Sequence, residues 1–235
     1  MTAEAFGYAF LGGVLPALLW LYFLLREDSR CPEPKLMILV AFFAGMIAVP
    51  LVLPLERFAS LHLDPGLPVV VAWAAIEEVI KYLAAAVAVL WRWRTVNESP
   101  DLVIYMLTAA LGFAALENAL FLVAPIASGH FVDSLITGNL RFVGSTILHV
   151  IASSSIGFAL AFSYKSSRAV RMLASTAGLI LAITLHTLFN VLIIAKEVSH
   201  VLAAFFTVWS AAVVFFALFE ILKYLRYRNL PRNSC

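Results

Sequence analysis

An all-α bundle of about seven membrane-spanning helices is the fold class this sequence predicts, and three observations predict it. Of the 235 residues, 63% are apolar and only 13% charged. With a mean hydropathy of +0.97, that balance excludes a soluble globule. Seven stretches are each long enough to cross a hydrocarbon core ~30 Å thick, which takes about 20 helical residues. Backbone amides in lipid must satisfy one another within their own segment, so helices are the spanning form.

The stretches fall at 6–25, 36–55, 68–90, 102–125, 139–164, 171–195 and 199–224. The first begins beside Glu4 rather than a basic cluster and shows no small-residue cleavage pattern before Arg26, so it reads as a span and not a signal peptide. Pro16, Pro50 and Pro54 read as bends in scaffold helices. The third stretch carries Glu77, Glu78 and Lys81; the fourth, Glu117 beside Asn118. Along the fifth, Arg141, Ser145, His149 and Ser153 recur at four-residue spacing, and the serines, with Gly144, Ser154, Ser155 and Gly157, read as packing positions. His186 and Asn190 share a face of the sixth. The seventh, with Phe205, Phe206, Trp209, Phe215, Phe216 and Phe219, reads as lipid-facing. Trp91 and Trp93 suit an interfacial belt, whereas His62, His130 and His200 fall in or beside loops and read as solvated. The loops are too short for a second domain. Residues 1–235 form a single membrane domain whose motif-bearing core is about 68–195, with scaffold segments at 6–25, 36–55 and 199–224.

Lys and Arg are unevenly divided between the two sets of loops. One set holds Arg26, Arg30, Lys35, Arg92, Arg94, Lys165, Arg168 and Arg171, and the tail adds Lys223, Arg226, Arg228 and Arg232; the other offers Arg57, Arg141 and Lys196. By the positive-inside rule the N-terminus is expected outside and the C-terminus in the cytoplasm, in a multi-pass protein of the plasma membrane. The net charge of +2 reflects this bias and gives no reason to expect a nucleic-acid partner. Cys31 and Cys235 would then share the cytoplasmic side, where no disulfide is expected.

With helices alternating in direction, Glu77, Glu78, Glu117, His149 and His186 all lie eight to ten residues from one face, about 12 to 15 Å deep. The first, second and seventh stretches lack polar residues at that level. An ionisable residue at the centre of a bilayer costs roughly 2.5 to 3.5 kcal/mol even on the lenient insertion scale, so carboxylates and imidazoles gathered at one depth point to function. Lys81 lies four residues after Glu77 and three after Glu78, so it can hold one carboxylate while the other meets water or substrate. A buried Glu suits a general base, and Asn190 could donate to an oxyanion. The histidines could orient water. They could equally join a carboxylate, as Glu117, His149 and His186, in binding a divalent metal such as zinc. No HExxH motif is present, so the metal-assisted and metal-free versions both stay open.

Here the residues resemble a known family. Glu77-Glu78-Val-Ile-Lys81 matches EExxK; Gly112-Phe113 through Glu117-Asn118 matches GFxxxEN; Arg141 eight residues before His149, then His186-Thr-Leu-Phe-Asn190, complete the series in order. The stretch from about 70 to 195 is similar to the PrsW intramembrane proteases. Those are related to the CAAX-processing (Abi) proteases and, more remotely, to the anterior-pharynx-defective subunit of gamma-secretase. The resemblance implies cleavage of a single-span, membrane-anchored substrate of anti-sigma-factor type near its extracytoplasmic side. It implies that Glu77 and Glu78 are essential, one of them as the base, and that His186 and Asn190 position water and stabilise the oxyanion. His149 fits the family's additional histidine, and Glu117 stands where CAAX-type proteases carry the His of FxxxH. Phe121 departs from the expected Tyr. Two other classes compete. A proton-coupled transporter also needs buried Glu, His and Lys, but it should show inverted repeats, and none is seen. A non-catalytic scaffold would leave the paired glutamates without a task.

Overall fold

The structure, a computed structural model, describes residues 3–27, 31–91, 96–195 and 197–228. Arg30, Arg92, Trp93, Arg94, Lys196, Arg232 and Cys235, on which the topology reading partly draws, lie outside the described residues. The chain forms α1 (Ala3–Arg26), α2 (Lys35–His62), α3 (Leu67–Ala85), a π-helical turn at Ala86–Leu90, α4 (Ser99–Ala127) and α5 (Phe131–Leu140). A second π turn at Arg141–Ser145 leads into α6 (Thr146–Phe162), followed by α7 (Arg168–Ile194) and α8 (Val198–Tyr227). The described residues contain no strand.

Six helices are long and apolar enough to cross a membrane: α1, α2, α4, the rod from Gly138 to Phe162, α7 and α8. The chain is therefore a multi-pass membrane protein. α3 stands apart because Glu77, Glu78 and Lys81 fall within its 19 residues; with its π turn it has the length of a span.

α4 is the mast of the bundle. Its start is fixed by a capping box, in which the Asp101 carboxylate accepts the backbone N–H groups of Asn97 and Glu98, both at 2.8 Å. Every residue from Pro100 to Ala115 is buried, as expected of a helix apolar on all sides, and α1, α2 and α6 pack around it. Small residues bring backbones together. A methyl group added at Gly45 of α2 would lie 1.9 Å from the Ala109 carbonyl oxygen, and one at Gly112 of α4 would lie 1.9 Å from that of Phe42.

Several elements differ from the sequence expectation. α2 runs on to His62, and the fifth span, Gly138–Phe162, is preceded by a helix the sequence did not predict, α5 from Phe131. α8 is not simply lipid-facing: Phe206 is 76% exposed, but Phe215 and Phe219 are buried. Cys31 is disulfide-bonded, correcting the expectation of a free thiol. At the end of the bundle formed by the α1–α2 turn and the end of α8, Lys223 meets Glu27 at 3.5 Å, and Glu98 accepts from Arg226 (3.1 Å) and Tyr227 (2.8 Å).

Candidate active site

The site is built around the two carboxylates of α3, and their surroundings differ completely. Glu78 is fully buried and saturated. Its Oε1 accepts from Lys81 Nζ at 2.5 Å and His186 Nδ1 at 2.8 Å, and its Oε2 accepts from Ser153 Oγ at 2.7 Å. Glu77, one residue earlier and about 100° round the helix, has Lys81 Nζ at 3.6 Å. Its Oε2 is buried with no hydrogen-bond partner and stands 3.8 Å from both His149 Nδ1 and His186 Nε2.

Hydrogen-bond partners assign the tautomers. His186 gives its Nδ1–H to Glu78, which leaves the Nε2 lone pair facing Glu77. His149 gives its Nε2–H to Glu117 Oε2 at 2.9 Å, and its Nδ1 lone pair faces both Lys81 at 3.0 Å and Glu77. The two rings meet edge to face with centroids 5.1 Å apart, and Phe113 covers His149 at 5.4 Å and Lys81 Nζ at 4.7 Å.

A second layer holds Glu117. The π turn swings Arg141 towards α4, where its guanidinium donates to Glu117 Oε2 and Asn118 Oδ1, each at 2.5 Å, and lies 3.8 Å from the Phe121 ring centre. Asn118 donates in turn to Thr146 Oγ1 at 2.9 Å, which donates to the Arg141 carbonyl at 3.0 Å. This closed ring anchors the π turn, a distortion that costs regular hydrogen bonds and is often found at functional sites. Glu117 therefore meets His149 at Nε2, while Glu77 faces Nδ1. The three groups whose ligand atoms lie within 4.8 Å of one another are Glu77, His149 and His186, all buried.

These groups open into a cavity of about 670 Å³, lined by Glu77, Glu117, Arg141, His149, His186 and Asn190. Its remaining walls are largely apolar, with Phe113, Phe121, Phe189 and Phe205 among them. Sequence reasoning missed two contributors. Ser153, taken for a packing residue, holds Glu78. Glu56 comes from the extended end of α2 and lines the same cavity as Glu77; its backbone carbonyl accepts from the Trp73 indole at 3.2 Å. So α2 does reach site level, contrary to expectation. Proline spacing and hydropathy gave no signal for Glu56; the i, i+4 placement of Glu56 and Ser60 was the available hint. His62, His130 and His200 lie elsewhere, beside Phe58, Asp133 and Glu197 respectively.

The sequence model of the PrsW family, described as "PrsW family intramembrane metalloprotease", matches residues 33–219. Neither the curated proteins nor the solved structures include a significant match.

Proposed function

The chain belongs to the PrsW family of intramembrane metalloproteases, and from that premise we propose that it hydrolyses a peptide bond of a single-span, membrane-anchored substrate of anti-sigma-factor type, using glutamate-activated water. The observation that carries this reading is Glu77 Oε2: a buried carboxylate oxygen with no hydrogen-bond partner, aimed at two imidazole lone pairs and at the cavity.

The donor set fits a divalent metal. One carboxylate and two imidazoles with an open side form a familiar catalytic zinc set. Each imidazole donates its other nitrogen to a carboxylate, the arrangement that orients metal-ligating histidines. Glu77, His149 and His186 would hold the ion, Glu77 replacing the Glu117 expected from sequence. When bound, it would supply Lewis acidity and a more acidic water.

The chain's own residues do the rest. Glu78, fixed by Lys81 and Ser153, keeps His186 turned with Nε2 towards the reaction volume. Arg141 keeps Glu117 on His149, so that ring cannot rotate its Nδ1 away. Where Glu77 acts as the base rather than as a ligand, its Oε2 receives the proton of the water that attacks the scissile carbonyl, and the proton is returned to the leaving amine as the C–N bond breaks. Asn190, one turn beyond His186 on the cavity wall, donates to the carbonyl oxygen as it becomes an oxyanion. The basic loops support an orientation with the C-terminus in the cytoplasm of a plasma-membrane protein and the site near the outer leaflet.

The test is cleavage of single-span membrane proteins by purified wild type and by Glu77→Gln, with bound metal measured for both. Loss of cleavage in a variant with unchanged thermal unfolding is expected; cleavage at the wild-type rate would overturn the assignment.

A further inference from the structure

Two arginines line the cavity of the candidate active site, Arg57 and Arg141. Arg141 is held on Glu117, whereas Arg57 forms no ion pair among the described residues. Its neighbours one turn away on α2, Leu53, Pro54, Ser60 and Leu61, offer no carboxylate. Glu56, the residue before it, is turned about 100° away. Glu56 is half-buried and Arg57 exposed, so the carboxylate belongs to the interior of the cavity and the guanidinium to its mouth. The height of that mouth is fixed. The Trp73 indole donates to the Glu56 carbonyl at 3.2 Å and to Ser60 Oγ at 3.1 Å, and Ser60 Oγ donates to the same carbonyl at 2.7 Å. The two acceptors bracket Arg57 in the chain, which sets it level with Trp73. That level is one turn, about 6 Å along α3, from Glu77.

We propose that Arg57 sets substrate specificity: its guanidinium pairs with an Asp or Glu side chain of the bound substrate, about two residues from the scissile bond on the side towards the α2–α3 turn. The scissile bond is placed at Glu77 by the hydrolytic reading, on which this assignment rests. An extended peptide advances about 3.3 Å per residue, so a height of about 6 Å corresponds to two residues. The reach of an arginine side chain widens this to between one and three. A carboxylate matches the guanidinium fork with two parallel hydrogen bonds. At the mouth of a largely apolar cavity the pair is shielded from water on one side, which strengthens it. At the level of Glu77 and Glu117 the same acidic side chain would be repelled, so the preference is confined to the mouth. A Lys placed there would meet a like charge, and a Gln would keep a hydrogen bond without the charge. An arginine that only reached for lipid headgroups would not tell these three side chains apart.

The test uses a synthetic peptide with one apolar span of about 20 residues, prepared as a set in which successive residues at each border of the span are replaced by Glu, Gln or Lys. Cleavage by the full-length wild type gives kcat/KM, and binding to full-length Glu77→Gln gives Kd, a readout that needs no hydrolysis. At one position, within three residues of the cut, Glu should be favoured over Gln about three- to fivefold in both readouts, through KM and Kd rather than kcat. Lys should be the poorest there. With Arg57→Gln added, Glu and Gln should be treated alike; Arg57→Lys should keep part of the preference, and Arg57→Glu should reverse it in favour of Lys. Arg57 is exposed, so these variants are expected to fold. The preference should shrink as salt is added. Peptides bound with a Glu preference but never cut would count against hydrolysis and for the subsite. Absence of a Glu preference in binding at every position overturns the proposal, as does a preference that survives Arg57→Gln.

Discussion

The two ends of this bundle treat buried acids in opposite ways. At the end that joins α4 to α8, two buried acids have ordinary partners: Asp101 accepts two backbone N–H groups, and Glu98 holds an arginine and a tyrosine. At the other end, Glu78 and Glu117 are equally well satisfied, yet Glu77 Oε2 is buried and unmet, the one carboxylate oxygen so placed among the described residues. A buried polar atom without a partner costs about 1 to 3 kcal/mol, more when charged. The difference separates acids that hold the fold from the acid left open for a ligand or a proton. Adjacent residues of one helix, Glu77 and Glu78, fall on opposite sides of that line.

Four measurements sharpen or break this contrast, from the largest effect down. Glu77→Gln should lower the cleavage rate by about 10² to 10⁴-fold, the usual contribution of a positioned acid–base group, without moving the unfolding midpoint. Glu78→Ala should behave as a fold mutant: it strands Lys81 as a buried charge, and a loss of about 3 to 5 kcal/mol is expected in an unfolding titration. If Glu78→Ala were as stable as wild type, the division of labour would be wrong. Glu117→Gln keeps the shape but weakens the hold on His149, and metal affinity measured by competition with a chelator should fall about 10 to 100-fold. At the far end, Asp101→Ala should cost only about 1 kcal/mol of stability, the typical worth of a helix cap, and leave metal binding and cleavage per folded molecule untouched.

Much of the site can be read from the sequence because depth is legible in a membrane protein. Counting from the ends of apolar stretches places Glu77, Glu117, His149 and His186 at one level before any contact is known, and a soluble fold has no such ruler. Azimuth is less legible. The order of Glu77, Glu78 and Lys81 allows the lysine to take either carboxylate, and only the position of α6 and α7, bringing Ser153 and His186 to Glu78, decides it. Helix ends were the other weak point. Hydropathy measures what lipid tolerates, so it closes the second stretch at Glu56-Arg57. The helix itself continues to His62 because its polar end faces a cavity rather than lipid. The same reasoning hid α5, whose turn-like residues Gly138 and Asn139 lead into the π turn. Cys31 shows a different limit: the expectation of a free thiol rests on the redox compartment inferred from loop charge, and that inference does not decide the pairing of an individual cysteine.

The charges that exclude α3 from the apolar helices also bear on how the chain is made. A nascent α3 leaving the ribosome meets the bilayer with two carboxylates and an ammonium. It carries only part of its own remedy, the i, i+3 contact of Glu78 with Lys81. Ser153, His149 and His186 are synthesised 68 to 108 residues later. Until they arrive, α3 is the segment for which membrane insertion costs most. It must wait at the insertion machinery, or against α2 and α4, for the second half of the protein to complete its surroundings.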